Sequence, residues 1–188
     1  MKRKVTALLL ATICSLTLFG CGSKTAMSAA VREPGAGEGI MYIDEEAVAL
    51  AGSVRNAEMT EDEKARADEL RAIAVAAFDL VNQKRAEAGL AAYTWNDDLE
   101  LCAQVRATEC GTKFSHTRPN GAEFWTVNSD LMWGENLAKG YKTADSVVEA
   151  WMNSPTHAAN ILDNSFVTCS IAVYEVNGKI YMAQEFGY

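Results

Sequence analysis

The C-terminal stretch "VTCSIAVYEVNGKIYMAQEFGY", residues 167 to 188, holds two alternating apolar runs on either side of Asn177-Gly178. An Asn-Gly pair between such runs is a strong short-range signature of a two-residue hairpin, because its turn positions need positive φ. The chain therefore ends in an antiparallel pair of strands.

Helical periodicity comes before it. "AIAVAAFDLVNQKRAEAGL" (72–90) puts Ile73, Ala77, Leu80, Val81 and Lys84 at helical spacing, with Gly89 where a helix end favours a left-handed residue. In "NDDLELCAQVRATEC" (96–110), Asn96 or Asp97 caps a second helix and acidic residues fill its first turn; Leu99, Cys102, Ala103 and Cys110 lie near one side, and Gly111 is expected to end it. "TADSVVEAWMNSP" (143–155) predicts a third helix, capped by Thr143, with Val147, Val148, Trp151 and Met152 as its buried stripe and Pro155 forbidding continuation. Thr156 is expected to cap a short fourth, "HAANIL". Helices followed by a hairpin predict an α+β fold, with helices packed on a small antiparallel sheet.

The first residues have the layout of an export signal: a basic cluster (Lys2, Arg3, Lys4), an apolar run, and "LFGC" ending at Cys21. "LFGC" resembles the bacterial lipobox, which implies cleavage after residue 20, diacylation of the Cys21 thiol and attachment to the bacterial cell membrane, with plain secretion as the second choice. Residues 21–71 read as a tether and a charged, partly helical spacer; "REPGAGEG" (32–39) is its most flexible-looking part. Residues 72–188 are enough for one domain with a core and too few for two. Losing three positive charges with the signal deepens the formal net charge from −8 to −11. Such a surface repels phosphate backbones, and no basic stripe interleaved with aromatics offsets it, so nucleic acid is not expected as a partner.

The chain has two histidines, in "FSHTRPNG" (114–121) and in "VVEAWMNSPTHAANIL" (147–162). With "GENLAKG" (134–140) and "YMAQEFG" (181–187), these motifs resemble, in order and spacing, the CAP superfamily of cysteine-rich secretory, antigen 5 and pathogenesis-related 1 proteins with their bacterial SCP-like relatives. The resemblance covers residues 72–188 and implies an α-β-α sandwich with a cleft where two histidines and two glutamates converge. His116, Glu135 and His157 match three of the four. At the fourth, counted three positions beyond Trp151, stands Ser154, so the set is incomplete; Glu149 falls on another helix face.

Two imidazoles and a carboxylate also suit zinc or another divalent metal on chemical grounds, with an open position for water or ligand. A helix N-terminus beside His157 should keep its ring neutral. The plainer alternative is a histidine hydrogen-bonded to a buried glutamate with no ligand at all. Trp125, Trp133 and Tyr141 surround the "GENLAKG" loop and either line a groove for a lipid or sterol, an activity the resemblance suggests, or belong to the core.

No "HExxH" or "GxSxG" is present, so no catalytic residue is assigned. Three functions remain: a binding module for a small ligand (lipid or divalent metal), a metal-dependent hydrolase of peptides or cell-envelope material, and an adhesin-like interaction protein. Of the cysteines beyond Cys21, Cys102 and Cys110 lie about 12 Å apart along one helix, too far to bridge. Cys110 is the better placed to pair with Cys169, against the alternative of three unpaired thiols.

Overall fold

The computed structural model describes residues 24–26, 29–33, 42–55 and 59–188. Residues 1–21, with the signal and Cys21, lie outside them. No helix among the described residues is long and apolar enough to cross a membrane.

Two short strands come first, β1 (Thr25–Ala26) and β2 (Ala30–Val31), then helices α1 (Glu45–Arg55), α2 (Glu61–Glu87) and α3 (Asp97–Thr112). A 3-10 turn at Phe124–Val127 leads to β3 (Gly134–Lys139), α4 (Ala144–Met152), α5 (Pro155–Ile161) and the hairpin β4 (Thr168–Val176) and β5 (Lys179–Gly187). The antiparallel sheet runs β1-β3-β5-β4, with β2 also paired to β3. Asn177 and Gly178 make the hairpin turn at φ 53° and 70°, which sets the register Val176↔Lys179.

Strand alternation separates two cores. Cys169, Ile171, Val173, Met182 and Phe186 face one side, where Ala74, Ala77 and Val81 of α2 and Val147, Val148 and Trp151 of α4 cover them. Leu137, Ala172 and Ala183 face the other, against Ala103, Ala107 and Cys110 of α3. The result is the expected α+β architecture, an α-β-α sandwich with a small antiparallel sheet between helices. A third cluster, built on Leu99, Cys102 and Val105, packs the outer side of α3 against Ala51 of α1 and Phe124 and Trp125. Residues 45–55 therefore lie on the domain.

Several local expectations need correction. α2 starts well before residue 72, because Thr60 and Glu63 form a reciprocal capping box. Its buried stripe ends on Arg85, not Lys84; Arg85 donates to the carbonyls of Ala91, Ile161 and Asp163 at 2.7–2.8 Å and lies 3.6 Å from the centre of the Tyr93 ring. Gly111 lies inside α3, where a Cβ would come within 2.9 Å of Tyr174 Cε1, so its role is close approach to β4. Pro155 ends the run of α4 and is also the first residue of α5, with Ser154 as N-cap in place of Thr156.

The Cys110–Cys169 bridge is absent. Cys102, Cys110 and Cys169 are buried free thiols. The physical reason is the pleat: Cys169 points to the α2/α4 side of β4, whereas Cys110 packs on the α3 side, with the sheet between them. Burial pushes all three thiols up to about 12. Peptide mapping without reduction should recover each as a free thiol, and alkylation of the native protein should be slow until denaturant is added; a Cys110–Cys169 cross-linked peptide would contradict the arrangement.

Candidate functional site

Glu135 and Asn136 are adjacent on β3 and, by strand alternation, face opposite sides of the sheet. Glu135 is directly opposite Glu185 on β5, and both are 0% exposed on the α3 side. Arg106 reaches down from α3. Its Nε donates to Glu135 Oε2 at 2.7 Å and one terminal nitrogen to Oε1 at 3.3 Å; the same guanidinium binds Glu109 and the Ser115 carbonyl. His116 Nδ1 lies 2.6 Å from Glu135 Oε1. Glu109 also accepts from Arg118, which continues to Asp44 Oδ2 at 2.7 Å, just ahead of α1.

Burial pushes the Glu135 carboxyl up, but the Arg106 guanidinium and the His116 hydrogen bond outweigh it and hold the group below the usual carboxylate range. Glu185 goes the other way: burial first, then the Glu135 charge beside it, push it well above that range, so it is held protonated. Among the described residues, neither Glu185 oxygen has a hydrogen-bond partner of normal geometry.

The other side of β3 holds an amide network. Asn136 Nδ2 donates to Gln184 Oε1 (2.9 Å) and to the His157 carbonyl (3.2 Å), and Asn160 Nδ2 donates to Asn136 Oδ1 (3.1 Å). This ties α5 to the strand. The Ser154 hydroxyl, at the N-cap of α5, bonds His157 Nδ1 at 2.7 Å instead of a backbone N–H. His157 is 1% exposed, and its Nε2 has no protein hydrogen-bond partner among the described residues. Burial, with the charge of His116 second, lowers its pKa to about 4. The ring is neutral as expected, with burial as the cause in place of the helix end.

His116 and Glu135 are thus in direct contact, and His157 is anchored from the opposite face of β3. The donor set does not fit a resident zinc. Arg106 and His116 already occupy the Glu135 oxygens, and no three His, Cys, Asp or Glu side chains among the described residues gather to hold a metal ion. Of the three aromatics, Trp125 and Trp133 flank the Arg32 guanidinium. Tyr141 and Trp133 pack on the α2/α4 core and Trp125 on the α1/α3 cluster, with the Trp133 ring tilted against Tyr188 at 4.8 Å between centres. The Ser154–His157 pair has the spacing of a nucleophile and base, but a ring of such low basicity, with its Nδ1 spent on the serine and no carboxylate behind it, is a weak base.

A model of the cysteine-rich secretory protein (CAP) family matches residues 78–186. The chain belongs to the CAP family. It is 34% identical over 116 residues to an uncharacterized protein, YkwD, of Bacillus subtilis (strain 168); the match takes in 58% of this chain and 45% of that protein, so less than half of YkwD is represented. Among solved structures, an extracellular protein containing an SCP domain from Bacillus anthracis superposes with TM-score 0.57 at 21% identity, covering 70% of this chain and 45% of the other. An outer surface protein from Borrelia burgdorferi gives TM-score 0.51 at 22% identity, covering 58% and 87%. At these identities the structures establish the shared fold.

Within this CAP domain the sequence reading missed Arg106, Glu109 and Glu185. Arg106 falls on the Cys102–Ala103–Cys110 side of α3, and Glu185 alternates with Ala183 on the inward face of β5. A charge on an apolar stripe is the signal that would have found both.

Glu135→Gln strands the buried Arg106 guanidinium and should cost about 3 kcal/mol in urea denaturation at pH 7. Glu185→Gln replaces a group already neutral and should leave the midpoint nearly unchanged. The His157 contribution has the opposite dependence from a paired histidine. With a folded pKa near 4 against 6.5 unfolded, its stability is present above pH 6.5 and is lost as pH falls toward 4. The pH–stability curve should flatten there in His157→Gln.

Proposed function

We propose that this CAP domain is an extracytoplasmic binding module, lipid-anchored through Cys21, that takes a small uncharged, hydroxyl-bearing ligand of the lipid or sterol class at the edge of β3. His157 Nε2 carries the reading. It is a buried ring nitrogen without a partner among the described residues, on an imidazole oriented by Ser154, and buried polar atoms are ordinarily satisfied. Whichever of Nδ1 and the serine oxygen donates, Nε2 is left to bond a ligand hydroxyl, which serves as donor or acceptor.

An uncharged ligand is favoured over a divalent metal because Arg106 already compensates the Glu135 charge. The His116–Glu135 contact fixes the 114–121 loop beside the same strand. The extracytoplasmic setting is supported by the export-type N-terminal sequence and by relatives described as an outer surface protein and an extracellular protein.

The test is titration of wild type and His157→Phe with a solubilised sterol and a lysophospholipid, followed by tryptophan fluorescence, with zinc as a parallel titrant. Wild type should bind one lipid class, and His157→Phe about tenfold more weakly, the worth of one hydrogen bond. Affinity should be flat from pH 8 to 5 and change as His157 protonates near 4. No lipid binding, with no lipid co-purifying in native mass spectrometry, would leave the adhesin reading; stoichiometric zinc abolished by His116→Ala would restore the metal.

A further inference from the structure

β3 is paired on one side by β5, and on the other, among the described residues, by the N-terminal segment: Thr25↔Lys139 and Ala26↔Ala138, then Ala30↔Glu135 and Val31↔Gly134. Within the CAP domain proper this outer side is a sheet edge. Such an edge binds any extended strand through main-chain groups, and side-chain pockets supply the selectivity.

One pocket is built here. Arg32, which the sequence places in a tether, is 7% exposed, whereas the preceding Val31 is 50% exposed. Its guanidinium carbon lies 4.4 Å from the ring centre of Trp125 and 4.5 Å from that of Trp133. One terminal nitrogen donates to the Ser129 carbonyl at 2.8 Å, and the Arg32 N–H donates to the Trp133 carbonyl at 2.8 Å. A planar, weakly hydrated guanidinium fits between two rings and reaches a carbonyl at once; a lysine ammonium does not. The rest of the segment is held lightly, with the Ala29 N–H on Thr156 Oγ1 at 3.4 Å and Asn160 Nδ2 on the Ala30 carbonyl at 3.3 Å.

We propose that the outer edge of β3 and the Trp125–Trp133 slot form a docking site for an extended, arginine-bearing peptide segment of another protein, occupied in cis by residues 24–26 and 29–33. The cis segment is a template for its partner: small or apolar residues opposite Glu135 and Gly134, followed by arginine. It is also releasable. Its strands are only two residues each, and the following "PGAGEG" (34–39) is a glycine-rich linker by composition. The acidic chain, at net charge −8, draws a cationic peptide toward it.

The site borders the one assigned to His157, since the cis segment touches Thr156 and Asn160, and an arginine-dependent peptide signal distinguishes it from lipid binding. The test uses the full chain as wild type and as Ala30→Pro/Arg32→Ala, in which proline bars strand pairing and the slot is empty. The probe is a fluorescein-labelled peptide KTAMSAAVRE, with versions carrying lysine or alanine in place of its arginine. Anisotropy should show the arginine peptide binding the double variant at least tenfold tighter than wild type, where the cis segment competes, and the lysine peptide binding at least tenfold more weakly than the arginine one. Bound peptide should slow hydrogen exchange of the β3 amides. The proposal is overturned if the double variant takes no peptide, if it takes the arginine and alanine peptides alike, or if the wild-type chain forms a dimer that the peptide does not dissociate, which would make the occupant a second copy.

Discussion

The arrangement depends on one buried ion pair, Arg106 with Glu135, at 0% side-chain exposure on both partners. Taking two charges out of water costs several kcal/mol per ion, and attraction returns that only when the remaining donors are also used. They are. The guanidinium also binds Glu109 and the Ser115 carbonyl, so a single side chain joins α3, the central strand and the loop that carries His116. Around it the contact of α3 with the sheet is made of Ala103, Ala107, Leu137, Ala172 and Ala183. Those small residues let the helix approach closely, which brings Arg106 within reach and excludes the water that would screen the pair.

A second carboxyl directly across the ladder sharpens the constraint. Two ionised carboxylates side by side in a dry interface would repel strongly, and Arg106 is the arginine beside them among the described residues, so Glu185 keeps its proton. The opposite face of β3 solves its polar burial with neutral amides instead, Asn136, Gln184 and Asn160, which cost less to dehydrate. One strand thus carries charge on one side and amides on the other, and each side holds a histidine.

How legible this was in the sequence follows from the kind of signal each part uses. The hairpin at Asn177-Gly178, the Asn96 and Thr143 caps and the buried stripe of α4 are local, and the structure agrees with them. Pro155 is ambiguous by nature, since the same ring that stops one helix suits the first turn of the next. Arg106 and Glu185 went unread because periodicity arguments treat a charge as surface, although each sat on an apolar face. The contact of His116 with Glu135 could be expected from the family resemblance, whereas the commitment of Glu135 to Arg106 could not. The two-residue strands at 25–31 leave no pattern: alanines without alternation look like linker, and their partner is more than a hundred residues away.

That last separation fixes an order of events. Residues 25–26 and 30–31 are made long before their partners on β3, which are not complete until residue 139 has been synthesised. These residues therefore have no partner strand to pair with until more than a hundred further residues have been added.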